Sequence, residues 1–299
     1  VAAGRLYVVS TPIGNLADIT LRALEVLRTV SLILAEDTRH ARVLLARYDI
    51  TTATAAYHEH NEARATPALV DRLAAGEDLA LISDAGTPLL SDPGGRLIRA
   101  TIDAGLAVVP VPGPSALLAA LVASGLPADR FTFFGFLPRR GAERRRALAD
   151  VAELGHVAVL YEAPGRTAQT LTDLAVLGVE GRRAVVAREL TKQFEEVRRG
   201  TIAEMAAYYA GTPPRGEVVI LIEGAAAPAT DPTAWRTQAR ALRATGASAR
   251  EIMGTLMRDG GAPRNAAYRI AHEHEAHDTD SADPEEPDEG EAGGGGADG

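Results

Sequence analysis

The sequence predicts an α/β protein with two α/β lobes, a parallel sheet in the N-terminal one and a mixed sheet in the C-terminal one, followed by a small helical C-terminal appendage. Three observations carry this. Over the first third, short apolar runs alternate with amphipathic stretches of helix length, the pattern of a parallel sheet covered on both faces. Past Ser124 five further strand-like runs follow, the last of them close together and alternating, which suits a mixed sheet. From Asp231 the chain turns rich in Ala and Arg, with helical spacing.

In order, the first-lobe strands are expected at "RLYVVS" (5–10), "VSLILAE" (30–36), "TAAYHE" (54–59), "DLALISD" (78–84) and "LAVVPVP" (106–112). Between them "DITLRALEVLRT", "RHARVLLARYD", "EARATPALVDRLAAG" and "GGRLIRATIDAG" repeat apolar residues at helical spacing. The second lobe starts near "SGLPADRFTFFGFLPRRG", with strands at 130–137, 156–163, 182–190, 194–201 and 216–224, and helices at "ERRRALADVAEL" and "RTAQTLTDLAVLG". The expected division is residues 1–124, 125–228, a helical appendage at 229–275 and an acidic tail at 276–299. In the appendage, "SAREIMGTLMRDGGAPRNAAYRIAHE" reads as two helices around a Gly-Gly-Ala-Pro turn, a loose match to a helix-turn-helix that suits packing or interaction better than base reading.

Composition narrows the function. A chain of 299 residues, 46% hydrophobic, can bury a sizeable core, and the absence of cysteine removes disulfides, thiolate metal sites and cysteine nucleophiles together. No run reaches the roughly 18 apolar residues of a membrane span and the first residues do not read as a secretory signal. A cytoplasmic protein is expected. The formal charge of −9 misleads, because eleven of the 40 acids lie from His272 onward, where there is no Lys or Arg. The remaining chain has 29 acids against 31 bases, about +2. Such an acidic, glycine-ending tail is expected to be disordered.

Ligand sites in parallel sheets lie beyond the carboxyl ends of the strands, which gathers the segments 10–15, 36–40, 58–62, 84–92 and 112–115 at one rim. The densest of these is "LISDAGTPLLSDPGG" (81–95), where an acid, glycines and prolines follow an apolar run. Glycine there allows close backbone approach, and Asp84 offers a carboxylate. No GxxxxGK[ST] is present, and "STPIGN" after the first strand breaks the dinucleotide fingerprint. An amphipathic, partly cationic small molecule such as S-adenosylmethionine therefore fits better than a pyrophosphate, although a purely structural turn uses the same residue types.

Taken together, "VVSTPIGNLADIT", "AEDTRH", "HEHNE", "LISDAGTPLLSDPG", "VPVPGPSALLAALVASGLP", "GFLPRR", "YEAPGR", "RELTKQFEEVRRGT" and "GEVVILIEG" resemble the ribosomal RNA small subunit methyltransferase I family, over roughly Arg5 to Gly224. The resemblance implies the tetrapyrrole-methylase fold, S-adenosylmethionine in the cleft between two α/β domains, a homodimer, and methylation of a ribose 2′-oxygen of a decoding-site cytidine in 16S rRNA. It implies cofactor contacts from Pro12, Ile13, Asp84, Gly86, Thr87, Ser115, Ala116, Tyr161, Glu162 and Gly216. Gly165 departs from the pattern, which has a bulkier residue there.

For chemistry at a ribose hydroxyl, the rim offers Asp37, Glu59 and Lys192 as catalytic candidates, the lysine being the only one in the chain. Asp37 and Arg39 are expected to face the cleft ahead of Glu36, with Glu36 a possible helix cap. RNA phosphates are expected to meet Arg39, His58, Arg139, Arg140, Arg198 and Arg199, with Arg144, Arg145 and Arg146 close by on a helix. His58 and His60 lack a clear third ligand in the sequence, so no metal is expected. Three rival readings stand beside this one: a methyltransferase of tetrapyrroles or another small metabolite, a non-catalytic ribosome-assembly factor, and a nicotinamide oxidoreductase, the last disfavoured by "STPIGN".

Overall fold

Five short strands open the chain: β1 (Arg5–Val9), β2 (Leu32–Ala35), β3 (Thr54–Ala56), β4 (Leu79–Ile82) and β5 (Ala107–Val111). The structure is a computed structural model that describes residues 2–225 and 232–273. The five strands run parallel in the order β3-β2-β4-β1-β5. In β4, Ala80 and Ile82 turn to one face, where α1 (Leu21–Thr29) and α2 (Thr38–Arg47) supply Leu24, Leu27, Leu44 and Leu45. Leu79 and Leu81 turn to the other, against Leu69 and Leu73 of α3 (Glu62–Ala74) and Leu97 of α4 (Gly95–Asp103). A strand buried on both faces has no polar alternation to keep, which explains its unbroken apolar sequence.

This order creates the site. From β1 the chain crosses to α1 on one face and on to β2, whereas from β4 it crosses to α4 on the opposite face and on to β5. The chain therefore leaves the neighbouring strands β1 and β4 toward opposite faces, which makes the rim beyond them the topological switch point at which open α/β sheets bind ligands.

The second sheet comprises β6 (Phe131–Phe136), β7 (Val157–Glu162), β8 (Arg183–Arg188), β9 (Glu196–Thr201) and β10 (Val218–Ile222), in the order β6-β7-β10-β8-β9. Only β6 and β7 pair in parallel, across the crossover helix α6 (Gly141–Glu153); the rest are antiparallel. α6, α7 (Thr167–Leu174) and α8 (Ile202–Gly211) cover one face of this sheet.

The other face is covered by α5 (Ala116–Ser124), which follows β5 yet packs Leu117, Ala120 and Leu121 on β7, β8 and β10, joined by Ile13 from the loop after β1. α5 and α8 are additions to the helices read from the sequence. "ALLAALVAS" is apolar on all sides, so it has no polar stripe to betray a helical period.

The chain divides into two compact units, whose described parts are 2–225 and 232–273. The second holds α9 (Pro232–Ala244), α10 (Ala249–Arg258) and α11 (Arg264–His272) around Trp235, Ile252, Leu256 and Ile270. α10 and α11 flank the expected Gly-Gly-Ala-Pro turn, and the Trp235 indole N–H donates to the Gly260 carbonyl at its start, 2.7 Å away. α9 is a third helix that the sequence reading had not separated. The acidic tail at 276–299 lies outside the described residues. Among those described, no helix is long and apolar enough to cross a membrane.

Candidate functional site

Four strand-end loops are laced together at the switch point. Backbone hydrogen bonds run both ways between Thr11 and Gly86, at 2.8 and 3.0 Å. The Thr11 hydroxyl donates to the Ser83 carbonyl (3.2 Å), Ser10 and Thr87 share a hydroxyl contact of 2.9 Å, and Thr87 donates to the Pro114 carbonyl (3.1 Å). The Asp37 N–H donates to Asp84 Oδ1 (2.9 Å), bringing in the loop after β2. Within 86–94 four residues sit at positive φ: Gly86 (78°), Leu89 (77°), Ser91 (75°) and Gly94 (125°). Two of these are not glycine, and such conformations cost on the order of 1–3 kcal/mol each. The density of special residues in "DAGTPLLSDPGG" thus serves a loop wound tightly enough to form a wall.

That wall bounds a cleft of about 500 Å³. Ile13, Asp84, Gly86, Thr87 and Ala116 border it from the first lobe and α5, and Tyr161, Glu162 and Gly216 border it from the second lobe; these are eight of the ten residues for which the resemblance implies cofactor contacts. Two of the ten implied contacts lie elsewhere. Pro12 is buried beside the cleft without lining it, and Ser115 caps α5, its side chain accepting from the Leu118 N–H. Phe136 and Glu217 also border the cleft, together with Glu36, Leu90 and Asp92. Their only sequence signal is position, since each falls at or just beyond a strand end or in the dense loop.

The electrostatics are one-sided. Glu36, Asp84 and Asp92 all border the cleft, and no Lys, Arg or His does so among the described residues. Burial, followed by the charges of Asp92, Asp84 and Asp37, pushes the Glu36 carboxyl above its ordinary value. Asp92 is raised by burial, with Asp84 adding to it against a hydrogen bond from Ser83. Asp84 is held by the Asp37 N–H and by His40 Nδ1 at 3.3 Å. Such a cleft favours a cationic guest, whose charge would relieve this mutual repulsion.

Its aromatic wall is Tyr161, edge-on to both Phe133 (4.8 Å between centroids) and Phe136 (5.7 Å). Burial raises the Tyr161 phenol pKa. Glu162 is 2% exposed, and its carboxylate accepts from the Ala163 N–H (2.8 Å), Arg166 Nε (2.7 Å) and the Thr170 hydroxyl (2.7 Å). It braces the turn on which Ala163 and Pro164 meet the cleft.

The remaining expected residues divide by what holds them. Asp37 and Arg39 do not precede Glu36 at the cleft; the order is reversed. Asp37 caps α2 by accepting the Arg39 N–H (2.8 Å), and its carboxylate is gripped by the same residue's guanidinium (2.6 Å). This pairing pulls the Asp37 pKa well below the carboxylate range. Glu36, expected as a cap, stands in the cleft instead. Glu59 and His58 belong to a turn closed by Asn61, whose side chain accepts from the His58 N–H (2.9 Å) and donates to the Ala56 carbonyl (2.8 Å). Glu59 is solvent-exposed and does not border the cleft, and the His58 ring meets His60 edgewise at 5.9 Å.

Lys192 sits just outside, bound to Glu189 (2.9 Å) and to the cleft residue Glu217 (3.1 Å). Burial acts to lower its pKa, but those two hydrogen bonds outweigh it and the net shift is upward. Its stem lies against Gly14, where a Cβ would fall 2.4 Å from Lys192 Cγ. Arg198 lies 3.7 Å over the Tyr208 ring and pairs with Glu196 (2.9 Å). Arg199 donates to the Ser124 carbonyl (3.1 Å) and to that of Ala123, tying off the end of α5. Arg144 is buried and paired with Asp173 (2.7 Å). These arginines are engaged within the fold. Arg139, Arg140, Arg145 and Arg146 are exposed around the start of α6, with no ion pair among the described residues.

Against known proteins, residues 5–206 match the tetrapyrrole (corrin/porphyrin) methylases. A ribosomal RNA small subunit methyltransferase I of Mesorhizobium japonicum is 52% identical over 229 residues, covering 76% of this chain and 78% of that protein. Its namesake from Synechocystis sp. is 44% identical over 276 residues, covering 91% and 99%. Among solved structures, the uroporphyrin-III C-methyl transferase of Thermus thermophilus, complexed with S-adenyl homocysteine, superposes with a TM-score of 0.53 at 20% identity, over 74% of this chain and 97% of that one. This last likeness is one of fold.

Proposed function

Because the chain belongs to the tetrapyrrole methylase family, and within it to the ribosomal RNA small subunit methyltransferases I, we propose that it methylates the ribose 2′-oxygen of a decoding-site cytidine in 16S rRNA. S-adenosylmethionine is the methyl donor. When bound it supplies a methyl group on a sulfonium, whose departure as a neutral thioether needs no acid.

The observation that carries this reading is the acidic cleft at the switch point. A donor bearing a sulfonium and an ammonium suits a cleft bordered by five carboxylates and, among the described residues, by no Lys, Arg or His, and the mixture of Ile13, Leu90 and Tyr161 with backbone at Gly86 and Gly216 suits an amphipathic body. Gly216, at φ 79°, leaves room that a side chain would close, since a Cβ there would meet Glu189 Oε1 at 2.0 Å. Asp84, Gly86 and Thr87 would hold the donor from one side, with Tyr161 and Gly216 on the other. Positioning of the two reactants then supplies most of the catalysis.

RNA would be guided by Arg139, Arg140, Arg145 and Arg146, which follow the strand whose last residue, Phe136, borders the cleft. Phosphate contacts of this kind position a strand without reading its sequence. The enzyme would act in the cytoplasm, where small subunits are assembled, as a homodimer like the family it resembles.

The test is incubation of the protein with methyl-labelled S-adenosylmethionine and either assembled small subunits or bare 16S rRNA, followed by nuclease digestion and mass spectrometry. A single 2′-O-methylcytidine in the decoding region is expected. Binding to RNA without any label would point to an assembly factor, and label entering only a tetrapyrrole would point to a small-molecule enzyme; either result overturns the reading.

A further inference from the structure

Five carboxylates border the cleft, and three of them are already held by hydrogen bonds or ion pairs. Asp84 accepts from the Asp37 N–H (2.9 Å) and faces His40 (3.3 Å). Asp92 is in no ion pair among the described residues, and the Ser83 hydroxyl beside it works against the upward pull of burial on its carboxyl. Glu162 is saturated by Ala163, Arg166 and Thr170, and Glu217 accepts from Lys192 Nζ (3.1 Å). Glu36 has neither a hydrogen bond nor an ion pair among the described residues and, unlike Asp92, no neighbouring group that lowers its proton affinity. It is presented by β2, whose four residues are all buried, so its backbone is fixed by the sheet while its side chain is free to meet a guest.

We propose that Glu36 is the group that accepts the ribose hydroxyl proton during methyl transfer. This rests on the reaction proposed above. The hydroxyl oxygen forms the new O–C bond, the C–S bond breaks with its electron pair going to sulfur, and the hydroxyl proton passes to a carboxylate oxygen of Glu36. Atoms and charge balance without a further reactant: a sulfonium and a carboxylate become a thioether and a carboxylic acid.

Surroundings make Glu36 a better base than an ordinary glutamate. The charged groups facing it are Asp84 and Asp92 from the loop after β4, and Asp37 beside it on its own loop. All are acidic, and burial adds to their effect, so the protonated form is favoured and proton affinity rises. A base held above the usual carboxylate range is closer to the proton it must take. The other candidates lack this combination. Asp37 is neutralised by Arg39, Glu59 stands in solvent, and Lys192 is kept protonated by Glu189 and Glu217.

The experiment compares wild type, Glu36→Gln and Glu36→Asp in the full chain. Single-turnover methyl transfer to small subunits is read alongside calorimetric affinity for S-adenosylhomocysteine. Glu36→Gln is expected to slow the chemical step by about 10²–10⁴-fold while weakening that affinity far less, because the thioether of S-adenosylhomocysteine carries no sulfonium charge, and Glu36→Asp to restore part of the rate. The wild-type rate should rise with pH as Glu36 ionises, and the Gln variant should lose that limb. A Gln variant that keeps the wild-type rate, or that loses S-adenosylhomocysteine affinity in step with rate, overturns the role of Glu36 alone. Wild-type protein that labels no RNA overturns the reaction and this role with it.

Discussion

Glu36 shows at the scale of a single residue how a site is maintained against stability. Its carboxyl is raised in the folded chain, so the folded state takes up this proton at a higher pH than the unfolded state does. Between the ordinary value of 4.5 and the raised one the native state binds more protons, and stability therefore falls as pH rises through that window. Glu36→Gln should accordingly melt at a higher temperature than wild type at neutral pH, with the gap closing on acidification below 4.5; thermal melts across pH check this. Gly216 carries the opposite expectation. Its positive φ and the 2.0 Å approach of Glu189 to a would-be Cβ mean that Gly216→Ala must expel a carboxylate that receives Lys192 and the Glu217 N–H. A loss of about 1–3 kcal/mol in urea denaturation, together with weaker S-adenosylhomocysteine binding, is the expected result. Glycine at 216 was legible in "RGEVV" as a turn before a strand, but the residue that crowds it comes from 27 positions away in the chain.

At the scale of the element, α6 assigns opposite tasks to adjacent arginines. Arg144 turns inward, donating to Asp173 (2.7 and 3.1 Å), to the Thr170 hydroxyl (3.0 Å) and to the Pro138 carbonyl (3.2 Å). Arg145 faces solvent. Arg144→Ala would leave Asp173 and Thr170 without this partner and should cost about 3 kcal/mol, in the range for breaking a buried pair. Arg145→Ala should stay within about 0.5 kcal/mol and instead weaken RNA binding. Chemical denaturation and filter binding on the same two variants separate the tasks. From "ERRRAL" alone the three arginines looked equivalent, because the partners that distinguish them, Asp173 and Thr170, lie on α7. The helix α5 is not legible in the sequence for a different reason: a segment apolar on every side carries no period, and only its burial beneath the second sheet accounts for it.

For the whole molecule, net charge is a poor guide to RNA affinity, since eleven of the 40 acids lie from His272 onward while four exposed arginines, Arg139, Arg140, Arg145 and Arg146, cluster around the start of α6. Binding should therefore be strongly salt-dependent despite the overall −9. Replacing Arg139 and Arg140 by Gln should flatten the slope of log affinity against log salt by about 0.7–0.9 per arginine, measured by titration over a salt series. The sequence by itself determined the two α/β lobes, all ten strands, the rim on which the loops converge and the first-lobe side of the cleft, because these follow from hydrophobic period, turn chemistry and the rule that parallel strands open their ligand sites at their carboxyl ends; the second-lobe side was implied only by the family resemblance. Only the tertiary structure decided which charged residues are free to act. Asp37, Arg144, Arg198 and Arg199 are bound to partners and Glu36 is not. A charge is available for chemistry only if nothing nearby has neutralised it, and for most of these residues what lies nearby is set by packing between distant parts of the chain.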